Sequence, residues 1–376
     1  MRRFGRIVLS VLVFGVTPGL PAVAAANTGA FTVRSSPNQG TSNNELLGLA
    51  AISASTAWAV GYYQAGTCTC NQRTLSEHWN GSSWVLVSTP NARAAFGDYD
   101  VLKAASAVTA TNVWAVGYAG NASSSADTAL IEHWNGTAWS VVASPNPSTT
   151  QDLYAVSALS ASDVWAVGGS FNQNPYHYGA LIEHWNGSGW SAVPNPATTA
   201  LNGVAAIAVN DVWAVGYGQI LHWDGTKWSI VPNAAGSSYD LQAVAAVSPS
   251  NIWAVGYEQI ASGEGYYPYP VVEHWNGSSW SAIPHAAGYG QGYLFGVTAP
   301  SATSVWAVGN MNGLSFAEKW NGTAWQRVST PNVGTSNNTL QAVAANSTNL
   351  WAVGEWYRAT SPYQAQTLAE ECLGCA

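Results

Sequence analysis

Basic charge is the scarcest property of this 376-residue chain. Only 11 Lys and Arg stand against 19 Asp and Glu, and charged residues make up 8% of the whole. A nucleic-acid partner needs a basic stripe to neutralise phosphates, and none is available. Long apolar runs are equally scarce. The one near the start follows Arg2, Arg3 and Arg6, is too short to span a bilayer, and leads into Ala-x-Ala sites near Ala24 and Ala26. Residues 1–26 are therefore expected to be a secretory signal peptide, with the mature, exported chain starting near Asn27. No later stretch approaches a membrane-spanning helix. Without the three leader arginines, 8 basic residues face 19 acidic ones. Cysteine is also sparse, with Cys68 and Cys70 in one CxC and Cys372 and Cys375 in one CxxC. In an exported chain disulfides are the first reading and a four-thiolate zinc site the second. The pairing is left open.

What the chain does have is tryptophan and repetition. The hairpin phrase EHWNGSSW at 77–84 returns at 132–139, 183–190, 221–228, 273–280 and 318–325. Upstream of each copy lies a phrase of the form WAVG, first ending at Gly61, and a seventh ends at Gly354. Seven units of this length predict a repeat architecture with one supersecondary unit per repeat. In the fifth unit, 241–284, LQAVAAVS and IWAVGY read as strands separated by a turn. VVEHW and SSWSAIP read as two more, joined at Asn276-Gly277 by a tight turn with φ > 0 at both central positions. Four antiparallel strands per unit, seven times, predict an all-β seven-bladed propeller over 27–376. The first strands are Ala- and Gly-rich, as the crowded axis requires. Three Trp per unit in six units account for 18 of the 20, and their rings are expected to fill the gaps between blades.

The seventh unit stops after TLAEECLGCA at 367–376, before a fourth strand. AFTVRSSPN at 30–38 resembles the fourth-strand phrase WSVVASPN at 139–146. The N-terminal strand is therefore expected to complete the last blade and close the ring, which removes exposed sheet edges.

The order L-x-A-V-x-A, W-A-V-G, then Asn/Asp-Gly-x-x-Trp resembles the secreted bacterial propellers with Asp-box (BNR-like) or kelch-like repeats. It lies near the photosystem II assembly-factor-like propellers. The resemblance implies the fold. It spans sialidases, lyases, lectins and assembly factors, and so leaves function open. The chain departs from the Asp-box, because Asn adjoins Gly and only Asp224 keeps the acid. Arg34, Arg73, Arg93, Arg327 and Arg358 are scattered over different units, which argues against a carboxylate-binding sialidase site.

The repeated Glu-His pairs, such as Glu77-His78 and Glu273-His274, occur once per unit and are read as structural, because ligands on different blades cannot share one ion. Individuality lies in the segments between the second and third strands and in the blade connections, which emerge on one face. Those segments are rich in tyrosine with Ser, Gly and Asn, a composition suited to adaptable recognition and to stacking on sugar faces. The candidate ligand-binding residues are Tyr63, Tyr99, Tyr176, Tyr178, Tyr239, Tyr267, Trp356 and Tyr357. Asp152 and Asp240 each precede an inner strand and should approach the axis. As a pair they could serve glycoside chemistry or help hold a Ca²⁺. The sequence thus predicts a secreted, monomeric, non-catalytic propeller that binds an extracellular carbohydrate or a protein. A polysaccharide-active hydrolase or lyase is the alternative.

Overall fold

The computed structural model describes residues 29–66, 71–93, 95, 97–123, 126–173, 176–234, 238–262, 265–286, 290–334, 337–358 and 364–376. The expected signal peptide, Cys68 and Cys70 lie outside the described residues. Seven four-stranded antiparallel sheets follow one another round a ring. Blade one is built from Asn44–Ser53, Thr56–Gln64, Gln72–Trp79 and Trp84–Leu86, in that order from the axis outward. Blade seven takes its inner three strands from Asn338–Ala345, Asn349–Tyr357 and Ala365–Leu373, and its outermost from Thr32–Arg34 at the other end of the chain. The ring closes as the sequence predicts.

Side chains alternate along a strand, so Trp58 and its neighbours face one side of the blade while Trp79, one residue from its partner His78, faces the other. The second-strand Trp of each blade therefore serves the interface with the next blade, and the hairpin pair serves the interface behind. Trp58 meets Trp134 and Trp139, and the same triad recurs at six interfaces. One ring of each hairpin pair stands edge-on to the second-strand Trp, at 5.1 to 5.6 Å between centroids. Such pairs contribute about 0.5–1.5 kcal/mol each beyond area burial.

The seventh interface is made differently. Cys372 occupies the register held by Trp79 in blade one, and it is joined to Cys375 by a disulfide. Phe31 from the N-terminal strand stands edge-on to Trp306, at 5.9 Å and 87°. Cys372 and Cys375 pack into the same cluster, and Ser304 Oγ donates to the Cys375 carbonyl at 3.5 Å. With two of its four sulfurs bonded to each other, a four-thiolate zinc site does not form.

The hairpin turn differs from the two-residue turn the sequence suggests. Trp79 pairs with Trp84, so the loop holds four residues, 80–83. Asn80 Oδ1 accepts from the N–H groups of Ser82 and Ser83 and from the Ser82 hydroxyl, each at 2.8 to 3.0 Å. Only Gly81 has positive φ, at 94°. Asn at the first position supplies the acceptor, Gly the left-handed backbone, and Ser or Thr the extra donor. Asp224 does the same work in blade four.

Every inner strand carries a bulge immediately after a buried leucine, as between Leu46 and Gly48 or Leu102 and Ala104. The bulge swings a carbonyl against the glycine of WAVG. A Cβ on Gly61 would collide with the Glu45 carbonyl oxygen, and the same holds at Gly117, Gly168 and their counterparts. That close approach is why this glycine recurs.

Candidate binding site at the channel mouth

The seven bulges project seven residues into the axial channel: Leu47, Lys103, Tyr154, Asn202, Gln242, Phe295 and Gln341, one per blade. They enclose a cavity of about 260 Å³. The flanking inner-strand positions are Leu, Ala, Gly and Val, so this ring is where the axis acquires chemical character. It is also asymmetric, because its single cation, Lys103, sits in blade two.

Acids gather around that amine. Burial lowers the Lys103 pKa, and Glu45, Glu355 and Asp152 oppose the shift by favouring its charged form. Glu355 is pushed up to about 8, by burial first and by Glu45 second, and Gln341 Nε2 donates to it at 3.3 Å. Burial raises Glu45, which is hydrogen-bonded to Tyr62. Tyr357 is raised to about 12 by burial and then by these two acids.

Beside Lys103 the channel opens into a concavity of about 500 Å³ lined by Gln72, Tyr99, Lys103, Tyr118, Ala122, Asp127, Asp152 and Tyr154. Two tyrosine–carboxylate couples face into it. Tyr99 Oη donates to Asp127 Oδ1 at 2.6 Å, and Tyr154 Oη donates to Asp152 Oδ2 at 3.2 Å. Tyr118 stands edge-on to Tyr99 at 6.2 Å. Asp152 is pushed up to about 6, by burial first and by the neighbouring Asp127 carboxylate second. Its Oδ1 is buried without a hydrogen-bond partner among the described residues. Such an arrangement offers flat ring faces, acceptors and one strong donor in a small volume.

The candidates from sequence fall in several places. Tyr99 and Asp152 belong to this concavity, and Tyr357 to the adjoining acid cluster. Asp240 does not join Asp152. It accepts from Tyr257 Oη at 2.8 Å, Asn202 Nδ2 at 3.0 Å and Gln242 Nε2 at 2.9 Å, in a separate network on blades four and five. Tyr63 lines a smaller concavity on blade one with Gln39 and Thr74, and Trp356 packs on the closing-blade core. Tyr178 is exposed and stacks with Phe171 at 4.6 Å. Tyr239 lines a groove on blade five, and Tyr267 is exposed on the same blade. Tyr176 lies on a described strand, but its side chain is outside the described residues. Several of these tyrosines sit on strands and not on loops, because the second and third strands of blades three and five extend well beyond WAVG.

Lys103, Tyr118, Tyr154 and Glu45 are absent from the sequence-based candidates. A signal for the ring was present: the residue after the recurrent inner-strand leucine changes character from unit to unit, while the positions that follow it stay small or aliphatic through most of the strand. The histidines hold the places a structural role predicts. His133, His184, His222 and His274 each bond an Asn or Asp at the start of the second strand at 2.8 to 2.9 Å, and each lies over its own second-strand Trp. Among the described residues no group of three or more His, Cys, Asp or Glu is arranged to hold a metal ion. No helix among them is long and apolar enough to cross a membrane.

The sequence matches no protein-family model and no curated protein. Solved structures do match in fold. One titled YCF48 bound to D1 peptide shares 13% identity at a TM-score of 0.57, over 93% of this chain and 98% of that one. The GH74 xyloglucanase from Xanthomonas campestris shares 12% identity at a TM-score of 0.58, over 89% of this chain. The match covers 55% of the xyloglucanase, so the present chain corresponds to about half of it. At these identities the likeness is one of fold: the chain is a seven-bladed β-propeller similar in architecture to YCF48 and to part of the GH74 xyloglucanase.

Proposed function

We propose that this protein is a secreted, non-catalytic binding module that takes a segment of an extracellular carbohydrate at the mouth of its axial channel. The observation that carries the reading is the set of Tyr99, Tyr118 and Tyr154 rings interleaved with Asp127, Asp152, Lys103 and Gln72 around one concavity. Ring faces suit the apolar faces of sugars, while carboxylates, amide and ammonium suit hydroxyls in both hydrogen-bonding senses. The acidic balance of the chain, and the acids around Lys103, favour a neutral polymer over a polyuronate. Export and a monomeric state belong to the same reading. Export rests on the leader-like segment and on the disulfide chemistry expected outside the cytoplasm.

The test is affinity electrophoresis of the protein through gels containing neutral and acidic polysaccharides, with the gels then assayed for reducing ends and unsaturated products. Retardation by a neutral polymer without products is expected. Tyr118→Ala and Tyr154→Ala are expected to weaken it about tenfold, the effect of losing a central aromatic anchor of roughly 1.4 kcal/mol.

A second reading, glycoside hydrolysis, is favoured by the Asp127–Asp152 neighbourhood, since a carboxyl group pushed up to about 6 with a second carboxyl group beside it is the kind of pair such enzymes use. New reducing ends that disappear in Asp152→Asn would establish it in place of the first.

A further inference from the structure

Blade five differs from four of the other blades on its outer edge. In blades one, two, six and seven an asparagine from the Pro-Asn step after the outer strand bonds back to the third strand. Asn91 Oδ1 accepts the Thr74 N–H at 3.1 Å, Asn146 that of Ala129 at 2.9 Å, Asn332 that of Ser315 at 2.9 Å, and Asn38 that of Thr367 at 3.0 Å. In blade five the matching register, opposite Tyr257, is Pro270, and the step reads Pro284-His285. Donor and acceptor are lost together. Two residues earlier, on the same side of the strand, stands Pro268. The outer edge therefore offers no N–H from 268 or 270, and this edge is closed to strand addition.

The other side of the same hairpin is uncovered. The second and third strands of blade five run Asn251–Ser262 and Gly265–Trp275, whereas those of blade four run only Asp211–Gly216 and Gln219–Trp223. Tyr239, Glu258 and Tyr269 are cross-strand partners in one row, with Ile260 and Tyr267 as the next pair outward. Tyr239 packs on the cluster shared with Trp213, Val215 and Ile220 of blade four, so this row faces the shorter blade. Blade four ends below it. A mostly apolar groove of about 550 Å³ results, lined by Tyr239, Glu258, Ile260, Tyr269, Pro270 and His285 among others. Ile260, Tyr266 and Tyr267 are 43%, 74% and 38% exposed nearby, a denser apolar display than singly scattered surface residues make.

We propose that this groove docks an extended, proline-containing segment of a partner protein that carries a lysine or arginine against Glu258. A polyproline-type segment has no internal backbone hydrogen bonds and needs no strand edge, and grooves lined by aromatic rings are where such segments dock. Tyr239 and Tyr269 supply the rings on either side of Glu258. That carboxylate is the lining's one acid, and no Lys or Arg lines the groove. A basic residue is the complement. This inference is independent of the carbohydrate site, which lies on blades one to three.

The test is fluorescence polarisation of the full chain with short labelled synthetic peptides of four kinds: proline-rich with arginine, proline-rich with glutamate, proline-rich and neutral, and proline-free with arginine. Saturable binding is expected to be strongest for the proline-rich arginine peptides. Ile260→Ser is expected to weaken it roughly fivefold or more. Glu258→Lys is expected to move the preference to the proline-rich glutamate peptides. Ile260 is exposed and Glu258 half-buried, and circular dichroism melts are to check that both variants stay folded. Equal binding of the proline-free arginine peptides, no saturation by any class, or an unchanged arginine preference in Glu258→Lys would overturn the proposal.

Discussion

Six glutamates, Glu77, Glu132, Glu183, Glu273, Glu318 and Glu370, are fully buried on the third strands of different blades. Their surroundings decide their charge. Ser36 and Ser144 hydroxyls donate to Glu77 and Glu183, and the Ala286 N–H donates to Glu318. Neither oxygen of Glu132 has a partner among the described residues. Burial pushes Glu77 up to about 8, Glu183 and Glu318 to about 7, and Glu132 well above its ordinary value. A carboxyl that stays protonated in the folded chain and ionises in the unfolded one weakens the fold as pH rises. Glu132→Gln removes only the ability to ionise. The variant is expected to melt higher than the parent at pH 8 and with it at pH 4.5, as followed by circular dichroism. Equal melting at both would show that Glu132 is not held neutral.

At the scale of the element, the hairpin turn is held by one side-chain acceptor and one left-handed glycine. Asn276 Oδ1 accepts three bonds, from the Ser278 and Ser279 N–H groups and the Ser278 hydroxyl. Asn276→Ala leaves those donors to solvent and is expected to cost about 1–2 kcal/mol in chemical denaturation. Asn276→Asp is expected to cost far less, because Asp224 fills the same place in blade four. The turn's residues were legible in the sequence, but its geometry was not. Asn-Gly alone suggests a two-residue turn, and only the pairing of Trp79 with Trp84 sets a four-residue loop. The inner-strand bulge was equally hidden. Alternation reads LYAVSA as a plain strand, yet the bulge after Leu153 turns Tyr154 toward the axis. The candidate site was half legible for that reason: Tyr99 and Asp152 carry turn and loop signals, while Lys103 and Tyr154 look like ordinary strand residues.

At the scale of the whole molecule, count, closure and blade order were all readable, because each repeat states the same local structure and the two chain ends state complementary halves of one blade. Closure depends on Phe31, Arg34 and the disulfide-linked Cys372. Arg34 pairs with Glu371 at 2.7 Å. Deleting residues 29–34 is expected to lower the melting temperature more than any single substitution at that blade, since it reopens an edge and uncovers Trp306. The buried acids set the pH profile. Glutamates raised to about 7 or 8 lose protons on unfolding from pH 4.5 upward, so stability falls across that window. His78, His133 and His274 are lowered by burial and take up protons on unfolding below about pH 6.5, which opposes the gain at lower pH. Thermal midpoints measured across pH 4 to 9 are expected to peak between about 5 and 6 and to decline toward 8.5.

The central claim is that the channel mouth beside Lys103 is a carbohydrate-binding site. The most direct measurement is the affinity electrophoresis of parent, Tyr118→Ala and Tyr154→Ala through neutral polysaccharide gels. Retardation of the parent, lost in both variants and without new reducing ends, is the predicted result. Parent mobility that no polysaccharide changes, or retardation that both variants keep, would contradict it.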